Sequence, residues 1–329
     1  MSGEPVLPGI DACMCVHALA PFARCEACAA ACPKDAILLD DEGLSLDPTA
    51  CDGCGLCVPA CPRAAITLQR PLTILFAGRR CGSAWATCRE VREAGETSLA
   101  CQHALGHRDL DSLAEEGVHA LHILSGDCAD CPNGAGPQQL ENAHARHVAI
   151  RKSRGAAVVQ LVLYREGDAY RAALARARVD TDEIDRRRRR LFSALSVPER
   201  LPETEASEAL AYHSPLINTA FCVACDACTG ICPDGALVRE RLPQSAYRIV
   251  PSRCSGCQLC LDLCDREAIS LQEAGPAGET VLRLDPGRCR SCGVPYYRLQ
   301  ESGSGRDGLC RICAVRPHAG NLFQVLSGS

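Results

Sequence analysis

Apolar runs and helical patterns divide the middle of the chain from its two ends. Three apolar runs, LTILFAG (72–78), HALHILSG (119–126) and AAVVQLVLY (156–164), have the length and composition of buried strands. Helical patterns separate them near residues 109–117 and 137–150. Because strands here alternate with helices, the pattern predicts a small α/β domain with a largely parallel sheet over residues 71–165.

A different pattern repeats at both ends of the chain. Each copy begins with a cysteine and passes through a turn into a short apolar stretch: CPKDAI (32–37), CPRAAI (61–66), CPDGAL (232–237) and CDREAI (264–269). Pro follows the cysteine in three copies, where its fixed φ ends a helical turn. Asp265 replaces it in the fourth copy, where we expect a small loss of rigidity. Such repeats indicate duplicated supersecondary units.

Residues 166–212 contain no cysteine and separate the middle from the C-terminal repeats. A helix is predicted over residues 169–195, and the arginine run 186–190 within it is typical of a solvated face. The stretch 196–208 has two Pro and many acidic residues and is typical of a linker.

Composition limits the classes of function. The chain has 329 residues with a net charge of −5, which argues against nucleic-acid binding. No apolar stretch reaches the roughly 18 residues of a membrane span, and no signal peptide is recognisable. We therefore expect a cytoplasmic protein with reduced thiols. Since aromatic residues make up only 4%, metal centres are expected to replace part of the apolar core.

The 26 cysteines carry the candidate chemistry. Residues 222–264 contain C-x2-C-x2-C-x3-C twice, as Cys222, Cys225, Cys228 and Cys232, then Cys254, Cys257, Cys260 and Cys264. Soft thiolates suit iron–sulfur clusters and zinc. Three thiolates on one tight turn can hold three irons of a cubane, and the fourth must come from another segment. A disulfide framework is the alternative interpretation.

Residues 25–61 repeat this arrangement incompletely. The second motif is complete, with Cys51, Cys54, Cys57 and Cys61, whereas the first has only Cys25, Cys28 and Cys32. Phe22 occupies the position of the leading cysteine. Cys13 or Cys15 can replace it, and we favour Cys15 because it is nearer and leaves a nine-residue loop. Otherwise the site holds a three-iron cluster or none.

Both pairs of motifs resemble bacterial ferredoxin domains with two [4Fe–4S] clusters, in which the fourth cysteine of each motif ligates the other cluster. The resemblance implies four clusters. Their ligands are Cys15, Cys25, Cys28 and Cys61; Cys32, Cys51, Cys54 and Cys57; Cys222, Cys225, Cys228 and Cys264; and Cys232, Cys254, Cys257 and Cys260. The whole arrangement resembles the multi-cluster ferredoxin proteins that accompany formate dehydrogenases and related molybdenum enzymes.

The middle region has five further cysteines: Cys81, Cys88, Cys101, Cys128 and Cys131. Three of them stand at the ends of predicted strands, and the carboxyl ends of parallel strands meet at one edge of the sheet. We therefore predict a cluster of two or four irons held by four of the five. Buried free thiols, or a redox-active pair formed by Cys128 and Cys131, are the alternatives. His103 and His107 are interpreted as exposed histidines rather than ligands.

This region also resembles the delta subunit of methyl-viologen-reducing hydrogenase. The likeness rests on Cys81 with Trp85 and Cys88, on SLAC (98–101), and on EEGVHALHILSGDCADC (115–131). It implies a [2Fe–2S] centre on a small α/β domain. It also implies electron relay between hydrogenase- or dehydrogenase-type partners.

A last group of cysteines has zinc spacing. Cys289 and Cys292 precede Cys310 and Cys313 by seventeen residues, which is typical of a zinc ribbon with four thiolates. A single iron, as in rubredoxin, is the alternative.

The expected fold class is α+β. Dicluster ferredoxin-like domains at 1–70 and 213–282 flank the α/β domain at 71–165, a helical segment and linker fills 166–212, and a ribbon occupies 283–329. We expect an electron carrier between dehydrogenase or reductase subunits. The alternatives are a cysteine-dependent reductase with its active site in the middle domain, and an assembly or redox-sensing factor for a metalloenzyme.

Overall fold

The computed structural model describes residues 6–40, 43–76, 82–91, 97–133, 139–188, 209–241, 244–300 and 308–315. The chain divides into two compact units, 1–210 and 211–329. Three features from the sequence lie outside the described residues: Cys81, the linker 196–208, and the end of the arginine run.

The chain up to Thr67, here called the N-terminal region, forms short strands joined by cysteine-bearing loops. The elements are β1 (Gly9–Ile10), α1 (Val16–Leu19), α2 (Ala27–Ala30), β2 (Ile37–Asp40), β3 (Gly43–Leu46), α3 (Cys57–Ala60) and β4 (Ile66–Thr67), with a 3-10 turn at Ala12–Met14. β1 pairs with β4 and β2 with β3, both antiparallel. Each helix has four residues, so these elements serve chiefly to position the loops.

An α/β domain follows in the same unit. Its elements are β5 (Thr73–Phe76), β6 (Gly82–Cys88), β7 (Ser98–Leu99), α4 (His107–Glu115), β8 (Val118–Leu124), α5 (Gln139–Ser153), β9 (Gln160–Tyr164) and α6 (Gly167–Arg188). Short 3-10 turns lie at Arg89–Val91 and Gln102–Ala104. The sheet order is β5-β6-β8-β9, with β7 also on β6. All pairs are parallel except β5 with β6.

Two helices cover one face of this sheet and the third covers the other. Leu110 and Leu113 of α4 and Leu140 of α5 share a buried core with β6 and β8. Tyr170 of α6 packs on the opposite face against Trp85. The helix after residue 166 therefore packs on the domain's sheet, although the sequence pattern assigned it to a separate segment.

The second unit repeats the pattern of the N-terminal region. Its elements are β10 (Leu210–Ile217), α7 (Ala227–Ile231), β11 (Leu237–Glu240), β12 (Ala246–Ile249), α8 (Leu259–Asp262), β13 (Ile269–Pro276), β14 (Thr280–Arg288), β15 (Pro295–Leu299) and α9 (Arg311–Val315), with a 3-10 turn at Pro251–Arg253. β10 pairs with β13, and β11-β12-β14-β15 form a second sheet. The fold is thus mixed α+β, with a duplicated cysteine-loop unit at each end.

None of the described helices combines the length and the apolar character that crossing a membrane requires.

Candidate metal centres

Three of the four cysteine loops share a backbone that bends through the left-handed region on both sides of the second cysteine. The residues concerned are Gly53 (φ 71°) and Gly55 (79°), Ala224 (53°) and Asp226 (63°), and Gly256 (80°) and Gln258 (63°). An L-residue in this region costs about 1–2 kcal/mol, so surrounding contacts must hold it there. The incomplete first loop differs, because Glu26 has a φ of −119°.

The four repeated turns also share one geometry. In each turn, the third residue after the last cysteine of the motif has positive φ: Asp35 (50°), Ala64 (53°), Gly235 (64°) and Glu267 (49°). The next residue is a buried alanine in every copy. Its backbone N–H donates to the cysteine sulfur over 3.2–3.3 Å, in the pairs Ala36–Cys32, Ala65–Cys61, Ala236–Cys232 and Ala268–Cys264. The fourth copy keeps this turn although Asp265 replaces the proline.

Two groups of thiols gather in the N-terminal region. Burial raises the pKa of Cys28 to about 11, and negative charge on three other thiols adds to the shift: Cys61, Cys25 and Cys15. Burial also raises the pKa of Cys57 to about 12, with added charge from Cys54, Cys32 and Cys51. Cys15 is 7% exposed, whereas Cys13 is exposed. In these two cases the thiols that add to the shift belong to one predicted set each, and Cys54 also acts on Cys101 of the middle domain.

The second unit contains two corresponding groups. Cys222, Cys225, Cys228 and Cys264 line one cavity, Cys232, Cys254 and Cys257 line another, and Cys260 lines both. Burial raises the pKa values of Cys228 and Cys260 to about 12. After burial, the largest contributions to each pKa shift come from negative charge on the other thiols of the same predicted set. The charge of Cys228 also acts on Cys260, so the two groups are neighbours.

A buried tyrosine holds one of the left-handed residues in place. The hydroxyl of Tyr247 donates to Oδ1 of Asp226 over 2.5 Å and accepts from the backbone N–H of Asp226 over 3.2 Å. Nε of Arg239 lies 3.2 Å from the same carboxylate oxygen. The Arg239 guanidinium also lies 4.4 Å from the ring centre of Tyr297. Strand β12 is thereby tied to the loop between Cys225 and Cys228.

The middle domain brings four of its five cysteines together at one edge of the sheet. Cys88 ends β6, Cys101 follows β7, and Cys128 and Cys131 follow β8. All four line one small cavity. Burial raises the pKa of Cys101 to about 12, and the charges of Cys88, Cys54 and Cys131 add to this.

Two buried side chains touch this group, and only one of them, His103, was considered from the sequence. Gln102 and His103 are each 1% exposed. Nε2 of Gln102 and Nε2 of His103 each lie 3.4 Å from the sulfur of Cys128. Our expectation that His103 is exposed was therefore wrong. Its position two residues after Cys101, on the 3-10 turn that follows β7, could have indicated that it lies beside the thiol group.

A direct contact joins the middle group to the N-terminal region. Cys54, Leu56 and Cys101 form a small buried cluster. Arg89 reaches from the middle domain to Asp52, with Nη1 3.4 Å from its carbonyl oxygen and Nη2 3.8 Å from its carboxylate. The thiol groups around Cys54 and around Cys101 are therefore adjacent.

The ribbon cysteines form a much tighter group. The four sulfurs of Cys289, Cys292, Cys310 and Cys313 all lie within 4.8 Å of one another. Backbone N–H groups of Cys292 and then Cys310 lower the pKa of Cys289 to about 6. A turn after β14, with Gly293 at φ 72°, carries the first pair; Cys310 immediately precedes α9, and Cys313 lies within it.

Sulfur spacing separates two kinds of site. Tetrahedral zinc with bonds of about 2.3 Å holds its sulfurs about 3.8 Å apart, and the sulfurs of Cys292 and Cys310 are 3.8 Å apart. No other group among the described residues is gathered as tightly as the ribbon. In a cubane each cysteine binds a different iron, so its sulfurs stand further apart. The ribbon therefore fits a single ion, and the looser groups fit clusters.

Comparison with known proteins finds similarity to iron–sulfur proteins in parts of the chain. The family described as 4Fe-4S dicluster domain matches residues 23–65 and 253–296. The second match begins at the last C-x2-C-x2-C-x3-C motif and continues through Cys289 and Cys292, so the motif from Cys222 to Cys232 lies outside it. The chain is also 33% identical over 82 residues to the polyferredoxin protein MvhB of Methanothermobacter thermautotrophicus, covering 24% of this chain and 19% of that protein.

The chain accordingly contains two stretches, residues 23–65 and 253–296, that match the 4Fe-4S dicluster domain. It spans about a fifth of the length of the polyferredoxin it matches.

Proposed function

We propose that the chain relays single electrons through four [4Fe–4S] clusters and a fifth centre, of [2Fe–2S] or [4Fe–4S] type, between two redox enzymes. The observation that carries this proposal is the mutual proximity of four thiols in each predicted set, with the fourth always contributed by the paired motif. The clusters supply one-electron chemistry when bound. The protein holds the clusters, sets the distances between them and shields them from solvent.

The chain's own groups favour anionic, iron-bound sulfur at these positions. An N–H donor aimed at a sulfur stabilises its negative charge, and hydrogen bonds to sulfur are one determinant of cluster potential. The alanine N–H groups do this for Cys32, Cys61, Cys232 and Cys264. Crowded buried thiolates repel each other, and iron's positive charge offsets that repulsion.

The middle domain extends the relay in the first unit. Among the described residues, Leu56 and the thiols of Cys54 and Cys101 make up the buried cluster between the two neighbouring groups. The proposed ligands of the fifth centre are Cys88, Cys101, Cys128 and Cys131. Zinc is the proposed occupant of the ribbon, where it fixes the end of the sheet.

The partners proposed are subunits of a dehydrogenase or reductase, with a formate dehydrogenase-type molybdenum enzyme as the specific candidate. The similarity to a polyferredoxin supports redox partners in general. A reducing compartment such as the cytoplasm suits a chain in which 24 of the 26 cysteines are proposed to bind metal rather than form disulfides.

Metal analysis of the anaerobically purified protein tests the proposal. Four cubanes require about 16 irons, the fifth centre adds two or four, and the ribbon adds one zinc. A double variant, Cys128→Ala with Cys131→Ala, should lose only the two or four irons of the middle centre.

Two outcomes contradict the proposal in different ways. About eight irons in the wild type would mean that one dicluster half is empty. An unchanged iron content in the double variant would remove the fifth centre while leaving the four clusters in place. Rapid turnover of a disulfide substrate by the isolated protein would favour the reductase alternative.

A further inference from the structure

The protonation of His103 follows from its hydrogen bonds. The backbone N–H of Leu140 donates to Nδ1 of His103 over 3.1 Å. A nitrogen that accepts a hydrogen bond carries no proton, so a neutral ring has its proton on Nε2. The ring is 1% exposed, so these hydrogen bonds are shielded from water.

This tautomer assigns a role to Nε2. A protonated ring nitrogen cannot ligate a metal, because its lone pair is used by the proton. It can donate a hydrogen bond, and the sulfur of Cys128 lies 3.4 Å away. His103 is thus a donor to a ligand sulfur and is excluded as a ligand by its contact with Leu140.

Gln102 adds a second donor to the same sulfur. Its Nε2 also lies 3.4 Å from Cys128 Sγ, and its nitrogen is 3.5 Å from Nε2 of His103. Two N–H groups do not bond to each other, but both can bond to one anionic acceptor. Among the contacts of the four middle thiols, Cys128 therefore receives two buried side-chain donors at once.

We propose that His103 and Gln102 are positioning residues that raise the reduction potential of the middle centre through hydrogen bonds to the sulfur of Cys128. The proposal rests on the proposed presence of an iron–sulfur centre at this site. Donors to sulfur stabilise the more negative, reduced state, and potentials respond to such bonds. Arg165 adds positive charge near Cys128 and acts in the same direction. The middle centre therefore accepts electrons more readily than it would without these donors.

Two substitutions separate the two hydrogen bonds of His103. In His103→Asn the short side chain can accept from the Leu140 N–H at the Nδ1 position, but it has no donor at the Nε2 position. In His103→Gln the longer amide can donate near the Nε2 position, but the acceptor for Leu140 is lost. A tuning role predicts an altered centre in the first variant and a nearly normal one in the second.

The measurement is an EPR-monitored redox titration of the full-length protein under argon. The middle-centre signal is defined as the part of the reduced spectrum that the Cys128→Ala, Cys131→Ala double variant loses. For His103→Asn, the ratio of reduced to oxidised centre at a fixed applied potential should fall roughly tenfold. That change equals a shift of about 59 mV for a one-electron couple.

His119→Asn provides a matched control. His119 is exposed and lies at the start of β8, at the end of the strand opposite the thiol group. Its substitution should leave the middle-centre potential unchanged. Gln102→Met removes the second donor and should shift the potential in the same direction as His103→Asn.

Four results overturn the inference. If His103→Gln shifts the potential while His103→Asn does not, the residue acts only by supporting Leu140. If both match the wild type at full iron content, the hydrogen bond has no effect on the centre. If neither His103 variant accumulates, an unchanged potential in Gln102→Met decides against it. A double cysteine variant that loses no iron instead disproves the middle centre itself, and the inference with it.

Discussion

Tyr247→Phe removes a single hydroxyl that holds the loop between Cys225 and Cys228. Tyr247 is 1% exposed, and its hydroxyl makes two hydrogen bonds to Asp226, at 2.5 and 3.2 Å. Asp226 has a φ of 63° and therefore needs contacts that keep it in the left-handed region. The substitution leaves the ring and its packing in place.

The expected cost follows from these two bonds. A hydrogen bond to a charged group contributes about 1.5–3 kcal/mol, and the 45% exposure of the Asp226 side chain argues for the lower end. The second bond, from a backbone N–H to a neutral hydroxyl, contributes about 0.5–1 kcal/mol. Together they stabilise the closed loop by about 2 kcal/mol, which corresponds to a roughly 30-fold change in the population of the open loop.

Iron release to a chelator under argon measures this population, because a closed loop shields its ligands. Tyr247→Phe should lose the iron held near Cys228 roughly 30-fold faster than the wild type. Tyr297→Phe is the matched control, since it removes a hydroxyl from an exposed ring and keeps the contact with Arg239. Equal release rates in the two variants would refute the argument that the Tyr247 hydroxyl holds the loop.

Three further predictions concern other parts of the molecule. Cys15→Ala should lower the iron content by up to four atoms while Cys13→Ala leaves it unchanged, and the reverse result would reassign the ligand. Gly256→Ala should lower the iron content and the stability of the second unit, because its Cβ would stand 2.6 Å from Nε2 of His213 at a φ of 80°; a variant with wild-type iron and melting temperature would contradict this. Burial lowers the pKa of His122, so the folded protein keeps this ring neutral. The unfolded chain binds a proton at His122 as the pH falls below about 6.5, and the folded state loses stability there. The thermal midpoint reported by the single tryptophan, which stacks on His122 at 3.9 Å, should therefore drop more on acidification in the wild type than in His122→Phe, and identical drops would contradict it.

The cysteine spacing predicted the ferredoxin-type domains because that chemistry fixes both residue type and separation along the chain. The central strand β6 was not predicted, since its first residues Gly82, Ser83 and Ala84 are small and give no hydrophobic periodicity. Its position explains why Cys88 stands at the same edge as Cys101 and Cys128. A site built from three separate strand ends depends on strand order, which local pattern does not encode.

The left-handed backbone positions were equally hidden from the sequence. Gly53 and Gly55 are residues in which positive φ is easily anticipated, but Ala224, Asp226 and Gln258 are not. Their conformations come from contacts made after folding, such as those of Tyr247 with Asp226. The burial of His103 likewise required the docking of α5, whose first turn supplies the Leu140 N–H.

The repeated turn after each fourth cysteine has a consequence for how such units are recognised. Its bend is occupied by aspartate, alanine, glycine and glutamate in the four copies, while the torsion angle at that position varies only from 49° to 64°. The four copies thus share the main-chain conformation at this position but differ in residue type. A search by torsion angles would detect distant descendants of this duplication that a search by residue identity overlooks.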